Sequence, residues 1–130
     1  MKTKASQGIG DLARYMALKS VSKFRLGAVL VKKGRVVSTG YNHMQKSHPL
    51  MQKYAGKLNF TLGLHAEVHT CIGVSAGDLH MADMWVCRVH RSGALAMALP
   101  CRVCQRFLTD VGIRRVYFTN TLGKVECLSL

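Results

Sequence analysis

The fold is decided by the stretch Leu26-Gly27-Ala28-Val29-Leu30-Val31-Lys32-Lys33-Gly34-Arg35-Val36-Val37-Ser38-Thr39. Its first six residues form a nearly continuous apolar run, which is typical of a buried strand. Four polar or glycine residues interrupt the run before apolar residues resume at Val36. Gly34 supplies the conformational freedom that a tight turn needs, so the stretch predicts a β-hairpin.

The segments on either side of this hairpin predict a helix before it and a loop after it. Apolar residues with helical spacing predict an amphipathic helix over Asp11–Ser20. Residues 42–62 are polar and basic and contain Pro49, so we expect a long loop, or a loop with one short helix. Long loops in compact domains are often functional.

The second half of the chain alternates helical and strand patterns. The segments predict a helix over His65–Gly73, a strand over Ala82–His90, a connector over Ser92–Leu99, a helix from Pro100 to Val111 closed by Gly112, and strands over Arg114–Thr119 and Val125–Leu130. Pro100 is expected in the first turn of its helix, where its missing N–H costs nothing. The gap between the last two strands is too short for a crossover helix, so we expect them to be antiparallel.

Two short motifs carry the chemistry, His65-Ala66-Glu67 and Pro100-Cys101-Arg102-Val103-Cys104. One imidazole and two thiolates are zinc ligands, and three of them leave the fourth tetrahedral position open for water, as in catalytic sites. Two cysteines three apart at a helix start lie on one face and can reach a single ion. The nearby carboxylate of Glu67 is a candidate for moving protons.

A closed structural zinc site is the alternative, and it needs a fourth protein ligand. His69 is the candidate, because it lies four residues after His65 on the same helical face. We expect His69 to be packed or surface-exposed instead. No metal role is assigned to the other histidines, which are His43, His48, His80 and His90.

The ordered H-x-E and P-C-x-x-C motifs, together with Phe24–Val31 and Gly40-Tyr41-Asn42, resemble the cytidine and deoxycytidylate deaminase superfamily of zinc-dependent nucleobase deaminases. The likeness extends from about Asp11 to the C-terminus and is greatest to small phage-type deoxycytidylate deaminases. It implies one cytidine-deaminase-like domain over residues 1–130. The implied fold is a three-layer α/β/α sandwich with a five-stranded mixed sheet whose last two strands form an antiparallel hairpin.

The same resemblance implies a mechanism and a set of site residues. One catalytic Zn²⁺ per subunit would be held by His65, Cys101 and Cys104, and a zinc-activated hydroxide would attack C4 of cytosine. Glu67 would shuttle the proton to the ring and then to the departing amine. The implied substrate contacts are Asn42 with the sugar, the backbone N–H of Ala66 with the base, and Phe24 with the pyrimidine ring. An Asn after Gly is also an ordinary turn residue, and Phe24 could equally be a core aromatic.

One departure from the family pattern concerns the substrate. Free-nucleoside deaminases carry a Glu two residues after the Asn, and this chain has Met44. The adjacent loop is basic, and we expect its cations, Lys46 and His48 together with Lys53 and Lys57, to suit a 5′-phosphate; a solvated cationic surface is the alternative. The leading hypothesis is therefore a deaminase of a free pyrimidine nucleotide, of the dCMP to dUMP type.

The charge of the chain keeps a second substrate class open. Nineteen Lys and Arg against six Asp and Glu give a formal net charge of +13, which attracts nucleotides and nucleic-acid phosphates alike. A cytosine deaminase acting on single-stranded DNA or RNA is the close alternative, although 7% aromatic content is low for a stacking channel. A non-catalytic zinc-stabilised nucleic-acid-binding module is the third.

The remaining expectations concern location, assembly and the other thiols. No apolar run approaches the ~20 residues that cross a bilayer, and no signal peptide is evident, so we expect a cytoplasmic protein without a membrane partner. The resemblance implies a homo-oligomer. Five cysteines, two of them in the C-x-x-C, suit a metal in a reducing compartment, and we expect core packing for Cys71, Cys87 and Cys127.

Overall fold

The computed structural model describes residues 4–56 and 63–130. Its helices are α1 (Lys4–Lys19), α2 (Pro49–Ala55), α3 (Ala66–Cys71), α4 (Ala76–Leu79) and α5 (Arg102–Asp110). Its strands are β1 (Arg25–Lys32), β2 (Arg35–Tyr41), β3 (Asp83–Val89), β4 (Leu95–Ala96), β5 (Arg115–Thr119) and β6 (Val125–Ser129).

The strands form one mixed sheet in the order β2-β1-β3-β5-β6. β1 is antiparallel to both β2 and β3, whereas β3 and β5 are parallel. β5 and β6 are antiparallel, which confirms the predicted terminal hairpin. The two-residue strand β4 pairs with the end of β3 and lies inside the predicted connector, so the five-stranded path carries one short addition.

The first hairpin is confirmed, and its turn explains the residues at its tip. Lys33 and Gly34 have φ of 51° and 76°. Two successive left-handed residues make a turn that matches the twist of the flanking strands. The pairing then continues from Lys32 with Arg35 to Gly27 with Tyr41.

Helices cover both faces of the sheet, as the three-layer prediction requires. α1 packs on one face, where Ala13 and Ala17 meet alternate side chains of the central strands such as Val29 and Cys87. α3 and α5 pack on the other face, on which Leu30 lies in the larger apolar cluster. The side-chain alternation of β1 and β3 therefore serves two cores.

The helix boundaries differ from the sequence prediction at three places. α1 begins at Lys4 rather than at Asp11. The sequence prediction missed its first half because that part contains glycines and lacks apolar periodicity, although Gly10 lies against Trp85. α4 was missed, since four residues capped by Ser75 are too few to show a period. α5 begins at Arg102 with Cys101 as its N-cap, so Pro100 precedes the helix and the expectation of a first-turn proline was wrong.

The predicted loop after β2 contains the short helix α2, as one of its two alternatives required. Residues 57–62, which complete that loop prediction, lie outside the described residues. No helix within 4–56 and 63–130 is both long and apolar enough to cross a membrane.

The three cysteines outside the C-x-x-C divide between core and surface. Cys71 and Cys87 are buried, as predicted. Cys127 is exposed, so its core assignment was wrong. The reason is that β6 is an edge strand with four of its five residues exposed, and strand-like sequence alone does not reveal which strand lies at the edge.

Candidate active site

His65, Cys101 and Cys104 converge between the starts of two helices. His65 is the N-cap of α3, and Cys101 is the N-cap of α5 with Cys104 one turn further on. The Nδ1 atom of His65 lies 3.6 Å from Sγ of Cys101 and 3.3 Å from Sγ of Cys104. All three donor atoms lie within 4.8 Å of one another.

This spacing fits zinc. A tetrahedral ion with Zn–N of about 2.0–2.1 Å and Zn–S of about 2.3 Å separates a nitrogen from a sulfur by about 3.6 Å. The observed Nδ1 to Sγ separations lie near that value. No other group of three such donors occurs in the described part of the chain.

His69 lies apart from the three donors. Its Nδ1 accepts a hydrogen bond from the backbone N–H of Tyr41, and its ring contacts the rings of Tyr41 and His43. The alternative of a closed site with His69 as fourth ligand therefore has no support in the donor geometry.

Hydrogen bonds among the donors set their protonation. The thiol of Cys104 donates to Cys101 and lowers the pKa of Cys101 to about 4, and His65 acts in the same direction. The hydrogen bond between His65 and Cys101 raises the pKa of His65 in turn. The hydrogen bond with Cys101 and, second, burial raise the pKa of Cys104. Cys101 is thus a thiolate at neutral pH, which is the form of cysteine that binds metals.

Glu67 lies in the first turn of α3, two residues after His65, and only 3% of its surface is exposed. Burial raises the pKa of its carboxyl above the usual value, while His65 acts in the opposite direction. A carboxyl whose pKa is shifted toward neutrality can both accept and release a proton near pH 7.

A cavity of about 350 Å³ opens beside these groups. We call it the catalytic pocket. It is lined by Phe24, Leu26, Asn42, Met44, His65, Ala66, Glu67, Arg88, Met97, Leu99 and Cys101. The pocket therefore brings Phe24, Asn42 and Ala66 of the sequence prediction together with Glu67 and with two of the three donors, His65 and Cys101.

Asn42 is buried and ties two strands together at the pocket. Its Oδ1 accepts from the backbone N–H of Leu26 at 3.0 Å, and its Nδ2 donates to the carbonyl of Phe24 at 2.6 Å. The amide thus fixes the start of β1 against the end of β2. This contact accounts for an Asn at the position and also holds Phe24 at the pocket wall.

Phe24 is not a core aromatic, since 48% of its surface is exposed. The guanidinium carbon of Arg88 lies 4.5 Å from its ring centroid, and Nζ of Lys23 lies 5.7 Å from it. The sequence analysis missed Arg88. The available signal was a charged residue inside the otherwise apolar run Met84–Val89, on the same face of the strand as other pocket-side residues.

The basic loop lies away from the pocket lining. His48 caps α2, with its Nδ1 accepting from the N–H of Leu50. Lys46 follows a turn in which its N–H donates to the carbonyl of His43, and Lys53 lies over the ring of Tyr54. None of the three lines the catalytic pocket. Lys57 lies outside the described residues.

Comparison with protein families gives one match. The family described as the cytidine and deoxycytidylate deaminase zinc-binding region matches residues 4–120. Comparison with the sequences of curated proteins gives no match.

Solved structures share the fold. Cytidine deaminase from Burkholderia pseudomallei is 21% identical with a TM-score of 0.64, over 98% of this chain and 93% of that one. The apo dCMP deaminase of cyanophage S-TIM5 is 19% identical with a TM-score of 0.63, over 93% and 86%. Acinetobacter baumannii RibD is 18% identical with a TM-score of 0.56, over 90% of this chain but 28% of that one. At these identities the likeness concerns the fold.

Proposed function

The chain belongs to the cytidine and deoxycytidylate deaminase family, and from this premise we propose that it hydrolyses cytosine to uracil in a free pyrimidine nucleotide, of the dCMP to dUMP type. The observation that carries the proposal is the triangle of His65, Cys101 and Cys104, two of which line one pocket together with the buried Glu67. The cyanophage dCMP deaminase of the same fold has also been solved in complex with dCMP and dUMP.

His65, Cys101 and Cys104 would hold a zinc ion, which when bound lowers the pKa of a water molecule toward neutrality. Glu67 accepts the proton of the attacking water and delivers it to the ring nitrogen N3 next to C4. It then carries the second proton to the amine, so that water and cytosine become uracil and ammonia. The buried environment suits this exchange because it keeps the carboxyl pKa raised.

The pocket walls provide binding and orientation. Ala66 is fully buried between His65 and Glu67, so its backbone N–H is a candidate contact for the base with no side chain in the way. Phe24 offers a ring edge or face to the pyrimidine. Asn42, which already orders the backbone around it, is the candidate sugar contact.

The cation placed to meet a 5′-phosphate is Arg88. It lines the pocket, whereas Lys46 and His48, the phosphate ligands expected from the sequence, do not. Its guanidinium lies against Phe24, and no carboxylate pairs with it in the described residues. Guanidinium groups bind phosphate through paired N–H donors. We therefore assign the phosphate to Arg88 and regard Lys46 and His48 as a solvated surface.

The test is a substrate panel with the zinc-loaded protein. Cytidine, deoxycytidine and their 5′-monophosphates are incubated separately, and conversion to the uracil product is followed by mass. We expect dCMP to be turned over with a higher kcat/KM than deoxycytidine, and Arg88→Ala to remove that difference. Absence of turnover of all four compounds would overturn the free-nucleotide proposal. It would leave the deaminase acting on single-stranded nucleic acid and the non-catalytic zinc-stabilised module, which turnover of a cytosine-containing oligonucleotide distinguishes.

A further inference from the structure

A second cavity, of about 360 Å³, lies where β1 begins and β3 ends, near the catalytic pocket. We call it the basic basin. It is lined by Ser20, Val21, Ser22, Lys23, Arg25 and Arg91. Three of these six residues are cationic and none is acidic, so the basin is a concave surface with a positive charge.

Only the ends of two strands separate the basin from the pocket. Leu26 pairs with Arg88, and the preceding residue Arg25 pairs with Val89. Because side chains alternate along a strand, Leu26 and Arg88 face the pocket while Arg25 faces the opposite side. Phe24 lies between Lys23 and Arg25 in the chain, so an exposed aromatic ring stands at the ridge between the two cavities.

Hydrogen bonds join the basin to the pocket wall. The hydroxyl of Ser20 donates to the carbonyl of Asn42, and the hydroxyl of Ser22 accepts from the N–H of Met44. Asn42 and Met44 line the pocket. A hydroxyl that accepts can also donate, so Ser22 retains a proton that can be offered to an anion.

No carboxylate forms an ion pair with the cations of the basin within the described residues. The ion pair that occurs in the described part of the chain joins Arg114 to Asp83, which lie at the other end of the strands. Arg25 donates from Nη2 to the carbonyl of His90, but its Nε is buried and has no hydrogen-bond partner. Among the described residues, the guanidinium of Arg25 therefore has no carboxylate to neutralise it, and its charge is available to an anion in the basin.

We propose that the basic basin binds a phosphate group, and that its source is the phosphodiester next to the target cytidine in single-stranded nucleic acid. Arginine and serine donors are the usual ligands of phosphate oxygens. The exposed ring of Phe24 offers a stacking surface for a base between the two cavities. Single-stranded nucleic acid would then be a further substrate beside the free nucleotide, and this inference rests on the proposed function only for the cytosine in the pocket. A free nucleotide offers the same phosphate and is the other source.

Binding of fluorescein-labelled oligothymidylate of eight residues tests the basin without any turnover, because it contains no cytosine. Anisotropy is measured at several salt concentrations for the zinc-loaded protein and for Lys23→Ala/Arg91→Ala. The matched control is Arg35→Ala/Arg115→Ala, which removes the same charge from two exposed residues at the opposite end of the strands. Thermal melts establish that each variant is folded.

We expect the basin variant to bind at least tenfold more weakly and the control to change less than twofold. Each phosphate contact in a single strand contributes about 0.7 to the slope of log K against log salt, so loss of two contacts should reduce the slope by about 1.4. Equal weakening in both variants would show that net charge alone binds the strand, and would overturn the proposal.

Two further measurements distinguish a free nucleotide from a strand as the source of the phosphate. They also distinguish failure of the basin proposal from failure of the proposed deaminase function. If oligothymidylate does not bind but Glu67→Gln binds two equivalents of dCMP, one of them lost in the basin variant, the phosphate site stands and the strand is overturned. Turnover of a cytosine-containing oligonucleotide that falls tenfold in the basin variant, with dCMP turnover unchanged, supports the strand. Basin-dependent binding without turnover of any substrate would overturn the deaminase function and leave the basin standing.

Discussion

Gly27 in β1 and Gly40 in β2 mark two places where a helix lies directly on the sheet. A Cβ at Gly27 would lie 2.2 Å from the backbone N of Ala17 and 2.3 Å from the carbonyl of Ala13, both in α1. A Cβ at Gly40 would lie 2.8 Å from the backbone N of Thr70 in α3. A glycine on each face of the sheet thus allows close packing of a helix, and the helix backbone lies closer to the sheet on the α1 face than on the α3 face.

The two faces differ in what else holds the helix. α1 meets the sheet through an apolar cluster that includes Ala13 and Ala17. α3 has polar ties as well, since Thr70 donates from its hydroxyl to the carbonyl of Ala28 and His69 accepts from Tyr41. Side-chain hydrogen bonds have directional requirements that apolar contacts lack. The helix that presents His65 and Glu67 is therefore tied to the sheet by side-chain hydrogen bonds, whereas Arg14 of α1 donates to the carbonyl of Gly93 in a loop.

Glu67→Gln, on the α3 face, should give the largest effect of these substitutions, a loss of activity without a loss of stability. Loss of the proton carrier should reduce kcat for dCMP by about 10²–10⁴-fold. Zinc content and the unfolding midpoint should be unchanged, because the amide replaces a carboxyl of the same shape. Glu126→Gln, at an exposed carboxylate, is the control and should retain activity. Activity retained by Glu67→Gln would show that the α3 face does not hold the chemistry.

Gly27→Ala should break the α1 face. The new methyl would overlap the backbone of α1, which cannot move aside as a flexible side chain would, so we expect the free energy of unfolding to fall by about 3 kcal/mol or more. Gly8→Ala in α1 has no atom within 4 Å of the added Cβ and should stabilise the protein by about 0.5–1 kcal/mol. Urea denaturation measures both, and equal stability of the two variants would refute the close fit.

Gly40→Ala should perturb the α3 face less in stability and more in function. Its Cβ would meet Thr70 at 2.8–2.9 Å and Nδ1 of His69 at 3.0 Å, so we expect a loss of about 1–3 kcal/mol. A shift of α3 would also move His65, so zinc should dissociate faster into a chromogenic chelator. Gly77→Ala, where no atom lies within 4 Å, is the control. A stability loss with unchanged zinc release would show that the first turn of α3 moves independently of Gly40.

The elements that the sequence predicts well are those defined by strong local signals. The apolar run Leu26–Val31 and the glycine at the turn predict the first hairpin, and the short gap before Val125 predicts the last one. The motifs at His65 and Cys101 predict donors that the structure brings within 4.8 Å. Both depend on residues close together in the chain or on chemistry that few residue types supply.

What the sequence does not reveal depends on contacts between distant segments. Arg88 reads as one charged residue in a strand, and its place over Phe24 follows from the pairing of β1 with β3. His48 reads as a phosphate ligand but caps α2. The basic basin combines residues from the end of α1, the start of β1 and the end of β3, and local patterns cannot show that these segments meet.

The smallest expected effect concerns the reactivity of the thiols, which measures how well each helix face excludes reagent from the cysteine beneath or within it. Cys71 is the last residue of α3, and Cys87 of β3 lies under α1. Burial raises the pKa of Cys71 to about 12 and that of Cys87 to about 11. Both are therefore neutral and unreactive toward iodoacetamide at pH 8, because the thiolate is the nucleophile. In the zinc-loaded protein, where Cys101 and Cys104 would be metal ligands, exposed Cys127 should be alkylated before Cys71 and Cys87, as read by peptide mass mapping.

The pH dependence of folding follows from the same shifts. Each buried thiol loses its proton more readily in the unfolded chain, where the pKa is about 8.5, than in the folded protein. The stabilisation is therefore fully present below that pH and is lost as pH rises toward 11 and 12. Cys71→Ala and Cys87→Ala should each flatten the decline in unfolding free energy above pH 9, and Cys127→Ala should not. Alkylation of Cys71 in the native protein at the rate of Cys127 would show that the α3 face opens, and that its polar ties do not keep it closed.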